Sequence, residues 1–374
     1  MELNTTINQL PVNTWNWLKM NRAVLQGTAP DAGGSNVLPE ISELPAGVTL
    51  NSSAQAAAGL DSAAGKDFTA LMDSLHAPVC ELTAAEGVQV QTPVIMRWHM
   101  NGGSASYTRQ IIRAEAGAQL TVIMVYDSAE GKETADGFHG IQTWLYAGKG
   151  AQIHLVKVQL LGSKFLHIDD TSSICAEDAL VNVTQLELGA DSSYVAVNAA
   201  LPELRSRFQS DTGYLCCGTQ KLDMNYVAVH TGKKTDCKMQ VKGTVRDTAA
   251  KTYRGTIDFR NGCSGSTGDE QEETLLLSPG VVNKSIPLIL CGEEDVAGEH
   301  GASIGQLGED LLFYMNSRGI SRRQAELLAA RAKIQSVASL IPDGPDGQLQ
   351  EQIRSFVDSA FSAPVDGTAG ADNE

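Results

Sequence analysis

The chain is poor in several residue types and patterns, and each shortage narrows its class. Aromatic residues make up 5% of its 374 residues, against 36 glycines. Together with many short β-branched runs, this suggests stacked strands joined by tight turns. No run of eighteen apolar residues occurs, so no membrane span is expected. The N-terminus lacks the charged, apolar and small-residue order of a signal peptide. The seven cysteines (Cys80, Cys175, Cys216, Cys217, Cys237, Cys263 and Cys291) are odd in number and irregular in spacing, unlike a secreted disulfide framework. Reduced thiols and a cytoplasmic location are the expectation. Cations are also short, with 28 Lys and Arg against 44 Asp and Glu, a net charge of −16. That argues against a basic face for nucleic acid or anionic membrane.

Chemical motifs are scarce too. Gly131-Lys132 and Gly232-Lys233 lack the upstream glycine and the following Ser or Thr that cradle a phosphate, so no nucleotide is expected on this chain. There is no CxxC pair, no HExxH and no HxH, so a closed structural zinc site is not signalled. Cys216 and Cys217 are neighbours, and on a strand one would face inward and the other outward. Cys263, in the Gly/Ser-rich NGCSGSTG, reads as an exposed loop thiol.

In chain order, residues 1–87 read as a helical and irregular N-terminal region. Trp15, Trp17, Leu18, Val24 and Leu25 stand near helical spacing, and a Gly/Ala/Ser/Pro-rich arm follows. Residues 88–305 show almost no helical periodicity and many short strands, among them Val181–Leu188, Tyr194–Val197 and Tyr253–Phe259. GAQLTVI at 117–123 recurs as GAQIHLV at 150–156, which hints at repeated rungs. The continuous apolar runs Leu275–Leu277 and Ile286–Leu290 suit strands buried on both faces. A sandwich, a barrel or a parallel β-helix would each fit. Residues 306–362 turn helical. Ser321 and Gln324 make a capping box, Ala325, Leu328, Ala329 and Ala332 form one stripe, and Leu349, Ile353, Phe356, Val357 and Ala360 form a second. Pro342-Asp343-Gly344 separates the two, and the tail 363–374 is expected to be disordered.

The chemistry concentrates between Pro287 and Gly319. A short strand ends on Cys291, an acidic turn follows, and Glu299 and His300 precede an amphipathic helix. A thiol, carboxylates and an imidazole within ten residues are the types that bind iron, zinc or persulfide sulfur. A buried Cys, a solvated acidic turn and a satisfied His would account for the same residues.

EHGASIG followed by GEDLLFYMNSRGIS resembles the C-terminal signature of the SufB/SufD family, scaffold components of the SUF iron–sulfur cluster assembly machinery. KTYRGTIDF and ETLLLS are similar to that family in order and spacing, and LPVNTWNWLKMN resembles the start of short, clostridial-type members. The resemblance implies a mainly β fold: a right-handed parallel β-helix core, a small N-terminal element and a C-terminal α-helical domain that docks the SufC ATPase. It implies a non-catalytic scaffold that pairs with itself or with a SufB/SufD partner, takes sulfur from a donor and holds a transient iron–sulfur cluster. His300 matches the His that SufD-like members place at the partner interface. Glu299 matches the Glu of a Glu-His pair in SufB-like members, whose second Glu is here Gly301. The SufB cysteine that precedes the LLL-type strand falls on Glu272, an oxygen donor that cannot carry persulfide, and Cys291 is the thiol nearest to His300 in sequence. The expected ligand candidates are therefore His300, Cys291, Glu299 and Glu272, with mixed donors suited to a cluster that must be released. Two readings from other classes compete. One is a β-helix carbohydrate-active enzyme, for which four Trp residues make a poor platform. The other is a structural subunit that only holds the ATPase.

Overall fold

A computed structural model describes residues 2–14, 18–31, 34–52, 60–128, 135–342 and 347–362. The chain opens with β1 (Glu2–Ile7) and β2 (Ala23–Thr28), then β3 (Glu40–Ile41), β4 (Val48–Asn51) and helix α1 (Lys66–Ser74). A succession of strands follows: β5 (Val79–Ala84), β6 (Val94–Met100), β7 (Ala105–Ala114), β8 (Gln119–Ser128), β9 (Gly137–Ala147), β10 (Gln152–Leu160), β11 (Phe165–Cys175) and β12 (Leu180–Glu187). It continues through β13 (Ser192–Leu201), β14 (Arg207–Cys216), β15 (Lys221–His230), β16 (Asp236–Val245), β17 (Ala250–Phe259), β18 (Ser266–Leu276), β19 (Val282–Cys291) and β20 (Val296–Gly305). Helices α2 (Glu309–Ser317), α3 (Arg322–Ala338) and α4 (Leu349–Ser362) close the chain.

From β5 onward consecutive strands alternate between two nine-stranded sheets. One runs β20-β18-β16-β14-β12-β10-β8-β6 and ends on β3, and the other runs β19-β17-β15-β13-β11-β9-β7-β5 and ends on β4. From β5 and β6 onward every neighbour is parallel, so the body is a two-sheet parallel β-solenoid of about eight turns. β3 and β4 pair antiparallel with the first turn. The sequence repeat is one such step: Gln152 sits in register on Gln119, and Ile153 on Leu120.

The rungs turn at a column of left-handed residues two positions before each even strand's register point. Gly87, Gly117, Gly150, Asp178, Arg205, Lys234 and Gly265 all have positive φ. Each donates its backbone N–H to the carbonyl of the rung above, as Gly117 does to Lys149 and Arg205 to Lys233. The N–H groups of this column are thereby satisfied by backbone carbonyls.

Inward residues of both sheets form the main core, with Leu120, Val122, Ile153, Leu155, Val181, Met239 and Ile257 all buried. The outer face of the even sheet is covered by α3 and α4, where Val156, Val158 and Leu186 meet Ile334, Val337, Ile353 and Val357. Gly213 permits that approach, because a Cβ there would lie 3.2 Å from the Val337 Cβ. The outer face of the odd sheet is covered by the β1–β2 hairpin and α1, through Ile7, Leu25, Phe68 and Met72 against Phe138 and Ile168. Asn8 Nδ2 donates to Asp223 Oδ1 at 2.7 Å, and Arg254 donates to both Asp223 Oδ1 and the Met20 carbonyl, each at 2.7 Å.

Three local expectations are corrected. Val24 and Leu25 belong to an antiparallel strand instead of a helical set: Leu25 is buried and Val24 exposed, the alternation of a covered strand. Trp15 and Trp17 lie outside the described residues, as do Asp343, Gly344 and the tail. Ile286–Leu290 is only partly enclosed, because β19 is the last strand of its sheet. In α3 the buried stripe is Ala325, Ala330, Ile334 and Val337, while Leu328 is exposed. The Ser321–Gln324 capping box is present, with both reciprocal bonds made.

Candidate functional site

Inward positions recur at every second residue, and register stacks them into columns down the solenoid. In β18 the inward residues Gly268, Glu270, Glu272 and Thr274 alternate with Asp269, Gln271 and Glu273 on the outer face. β20 lies on β18 in register, pairing Gly268 with Gly298, Glu270 with His300 and Glu272 with Ala302. His300 therefore continues the inward column of Glu270, and Glu299 the outward column of Asp269. Both are exposed, because among the described residues no strand follows β20 in its sheet. On the odd side Cys291 continues the column of buried Phe259, and Ile289 that of buried Ile257. Cys291 is the exposed member of the seven cysteines, and its thiol donates to the Glu293 carbonyl at 3.1 Å.

The structure places the four candidates at one end of the molecule but does not gather them around one point. Cys291 stands at the corner that leads into β20. His300 lies further along, beyond Gly298, whose Cβ position would be 3.2 Å from Ile289 Cγ2. Glu299 points to the opposite face of the strand from His300. Glu272 is enclosed one turn below, where Lys251 Nζ and Ser285 Oγ donate to its carboxylate and Thr274 Oγ1 donates at 3.0 Å. Among the described residues no group of three or more His, Cys, Asp or Glu forms a metal cage. The open end can offer a thiol and an imidazole to an incoming ion or partner. It does not enclose one by itself.

Two inward features escaped sequence reasoning. The first is Glu270, which lies beside Glu272 and across from Gly255; a Cβ on Gly255 would be 2.3 Å from Glu270 Oε1. Burial and the neighbouring Glu272 push its carboxyl up to about 7, against the pull of the adjacent Tyr253 hydroxyl. The second is a polar chamber in the middle of the solenoid. Lys157 Nζ donates to Asp169 Oδ1 at 2.5 Å, Thr171 Oγ1 at 2.7 Å and Thr143 Oγ1 at 3.0 Å, all buried. Beside it the His139 and His167 rings stack with Nδ1 atoms 2.9 Å apart, so one imidazole donates to the other. Burial holds both neutral, helped at His139 by the facing His167 ring and at His167 by the Lys157 ammonium, and His167 is pushed down to about 3. Glu187 accepts from Gln185 at 2.8 Å, and burial plus the Asp169 charge pushes it up to about 8. These residues are scattered through the sequence, and only the register brings them together.

The other thiols are poor nucleophile candidates. Cys216 faces inward and Cys217 toward the helices, as their adjacency implies, and burial pushes both up to about 12. Cys263 is buried, correcting its reading as an exposed loop thiol: its rung corner tucks the side chain under the turn.

The family model described as SUF system FeS cluster assembly, SufBD core domain, matches residues 96–333, more than half of the chain and most of the solenoid. The chain belongs to the SufB/SufD family. Its relatives include the iron–sulfur cluster assembly protein SufD of Bacillus subtilis, 24% identical over 295 residues that cover 76% of this chain and 67% of that protein. SufB of the same organism is 21% identical over 278 residues, covering 74% of this chain and 59% of that protein. A chloroplastic SufBD family protein of Arabidopsis thaliana is 24% identical over 240 residues, covering 62% and 42%. The SufB/SufD match thus spans between 42% and 67% of the length of these three relatives. No helix among the described residues is long and apolar enough to cross a membrane.

Proposed function

We propose that this chain is a scaffold subunit on which a SUF-type system builds iron–sulfur clusters, with iron and sulfur as cargo. The observation that carries the reading is the open end of the solenoid, where two bare edge strands present Cys291 and His300 inward and exposed. Unpaired edges are templates for another chain. Val282 and Ile304 add exposed apolar surface beside them, 45% and 44% accessible. A second copy or a SufB/SufD partner docked there would cover the edges and complete the ligand set across the interface. Thiolate suits cluster iron, and the His300 imidazole gives labile completion.

A SufC-type ATPase docks on the C-terminal helices. Helix α2 exposes Leu311, Phe313 and Tyr314, the second of them 78% accessible, and Leu328 on α3 and Leu340 just after it are exposed as well. Only Gln306, Leu307 and Gly308 separate β20 from α2. ATP-driven movement of the helices would therefore be delivered to the strand that carries His300, opening the paired end to iron and to the sulfur donor and baring Glu272. The nucleotide stays on the ATPase, and this chain assembles without turning over a substrate of its own.

The test mixes the purified chain anaerobically with a SufC-type ATPase, ferrous iron and sulfide, and follows light scattering and visible absorbance together. The reading predicts a paired complex with the ATPase and a labile charge-transfer chromophore. A complex without a chromophore would leave an ATPase holder, and neither signal would remove the scaffold reading.

A further inference from the structure

The open end has a floor as well as a rim. Glu270 and Glu272 lie side by side beneath the last turn, both 2% exposed. One buried ammonium, Lys251, serves the pair, and it is engaged by Glu272, which also receives the Ser285 and Thr274 hydroxyls. Glu270 shares none of these donors. Its Oε2 is buried and makes no hydrogen bond of its own, and the donor beside the carboxyl is a neutral one, the Tyr253 hydroxyl. A buried carboxylate oxygen left so is costly unless a positive charge or a donor reaches it. The placement is built into the fold: Gly255, opposite, leaves the room that Glu270 Oε1 occupies. Directly in register on the next and last strand stands His300, exposed to solvent.

We propose that Glu270 and His300 form a two-residue cradle for a divalent first-row transition-metal ion, ferrous iron being the cargo it would load. Paired residues on neighbouring strands are about 4.8 Å apart, within reach of one ion bound at about 2.0–2.2 Å by an imidazole nitrogen and a carboxylate oxygen. Imidazole with carboxylate suits iron, cobalt and zinc, and water fills the remaining positions on the open side. Glu299, on the outer face of β20, takes no part. The inference rests on the proposed reading of this end as the place where iron arrives, and it names Glu270 as the carboxylate that receives it.

The test is an anaerobic titration of the full chain alone with cobalt(II), read by its visible ligand-field bands and by calorimetry. The proposal predicts one cobalt per chain. Glu270→Gln, which keeps the side-chain volume, and His300→Ala, at an exposed position, should each weaken binding at least about tenfold, since even partners behind a ligand are worth that much. Glu299→Gln should bind as the wild type does. Circular dichroism and melting of each variant show that it is folded. The cradle is overturned if the wild type binds no cobalt, if Glu270→Gln binds as tightly as wild type, or if Glu299→Gln is the variant that loses the ion. A wild type that assembles a cluster without binding cobalt would sink the cradle and keep the scaffold. A Glu270-dependent cobalt site on a chain that assembles no cluster would do the reverse.

Discussion

Lys251 and Glu272 are both fully enclosed, and neither charge has water to fall back on. Removing one partner strands the other, which costs about 3–5 kcal/mol in such settings, whereas neutralising both is far milder. Lys251→Met should therefore lower stability by about that amount in urea unfolding, and Lys251→Met combined with Glu272→Gln should recover most of it. The mid-solenoid chamber makes a pH prediction of two signs. Glu187 sits at about 8 in the folded chain against 4.5 ordinarily, so between those values the unfolded chain ionises it and the folded chain does not. Stability contributed by this group is complete below pH 4.5 and is lost as the pH rises toward 8. His139 and His167 are lowered instead, from 6.5, so below that value the unfolded chain takes up protons that the buried rings refuse, and stability falls with pH. Urea midpoints measured from pH 5 to 8.5 should show both slopes, each up to about 1.4 kcal/mol per pH unit per group, and Glu187→Gln should flatten the decline above pH 7, beyond the range in which Glu270, raised to about 7, adds its own.

At the scale of elements, the rung corner shows what the sequence could and could not disclose. Four of the seven left-handed corner positions are glycine, and the other three are Asp178, Arg205 and Lys234. The repeat is visible where two glycine corners follow each other, at GAQLTVI and GAQIHLV, and fades where the chain accepts a strained residue. Lys234→Gly should relieve that strain and raise stability by about 0.5–1 kcal/mol in thermal melting, net of glycine's added chain entropy. Strand type and the Ser321 capping box were legible because they depend on local spacing. The choice of a parallel solenoid came from family resemblance, since alternation of period two fits a sandwich equally well. The N-terminal hairpin was hidden because Leu3, Ile7 and Leu25 are organised by the sheet they cover. The stripe on α3 was misplaced for a related reason: its alanines fit several faces, and Ile334 and Val337 decide which one meets β14. In the candidate site, Cys291 and His300 were legible as types in one stretch. Glu270 was not, because its meaning comes from register with His300 across the intervening turn.

At the scale of the whole molecule the solenoid is asymmetric. Its first turn is closed by β3 and β4, and its two long faces are covered by the N-terminal elements and by α3 and α4. Its last turn has bare edges and an apolar helix leading away. Phe313→Asp should leave the melting temperature unchanged, because the ring is mostly in solvent, while abolishing co-purification with a SufC-type ATPase. Whether the open end holds the cluster is decided by anaerobic reconstitution of the wild type, His300→Ala, Cys291→Ser and Glu299→Gln under identical conditions. A labile visible chromophore is expected in the wild type and weakened in His300→Ala and Cys291→Ser, with iron content falling in step. A chromophore of equal strength and lability in the wild type, His300→Ala and Cys291→Ser would contradict it and place the cluster elsewhere on the chain.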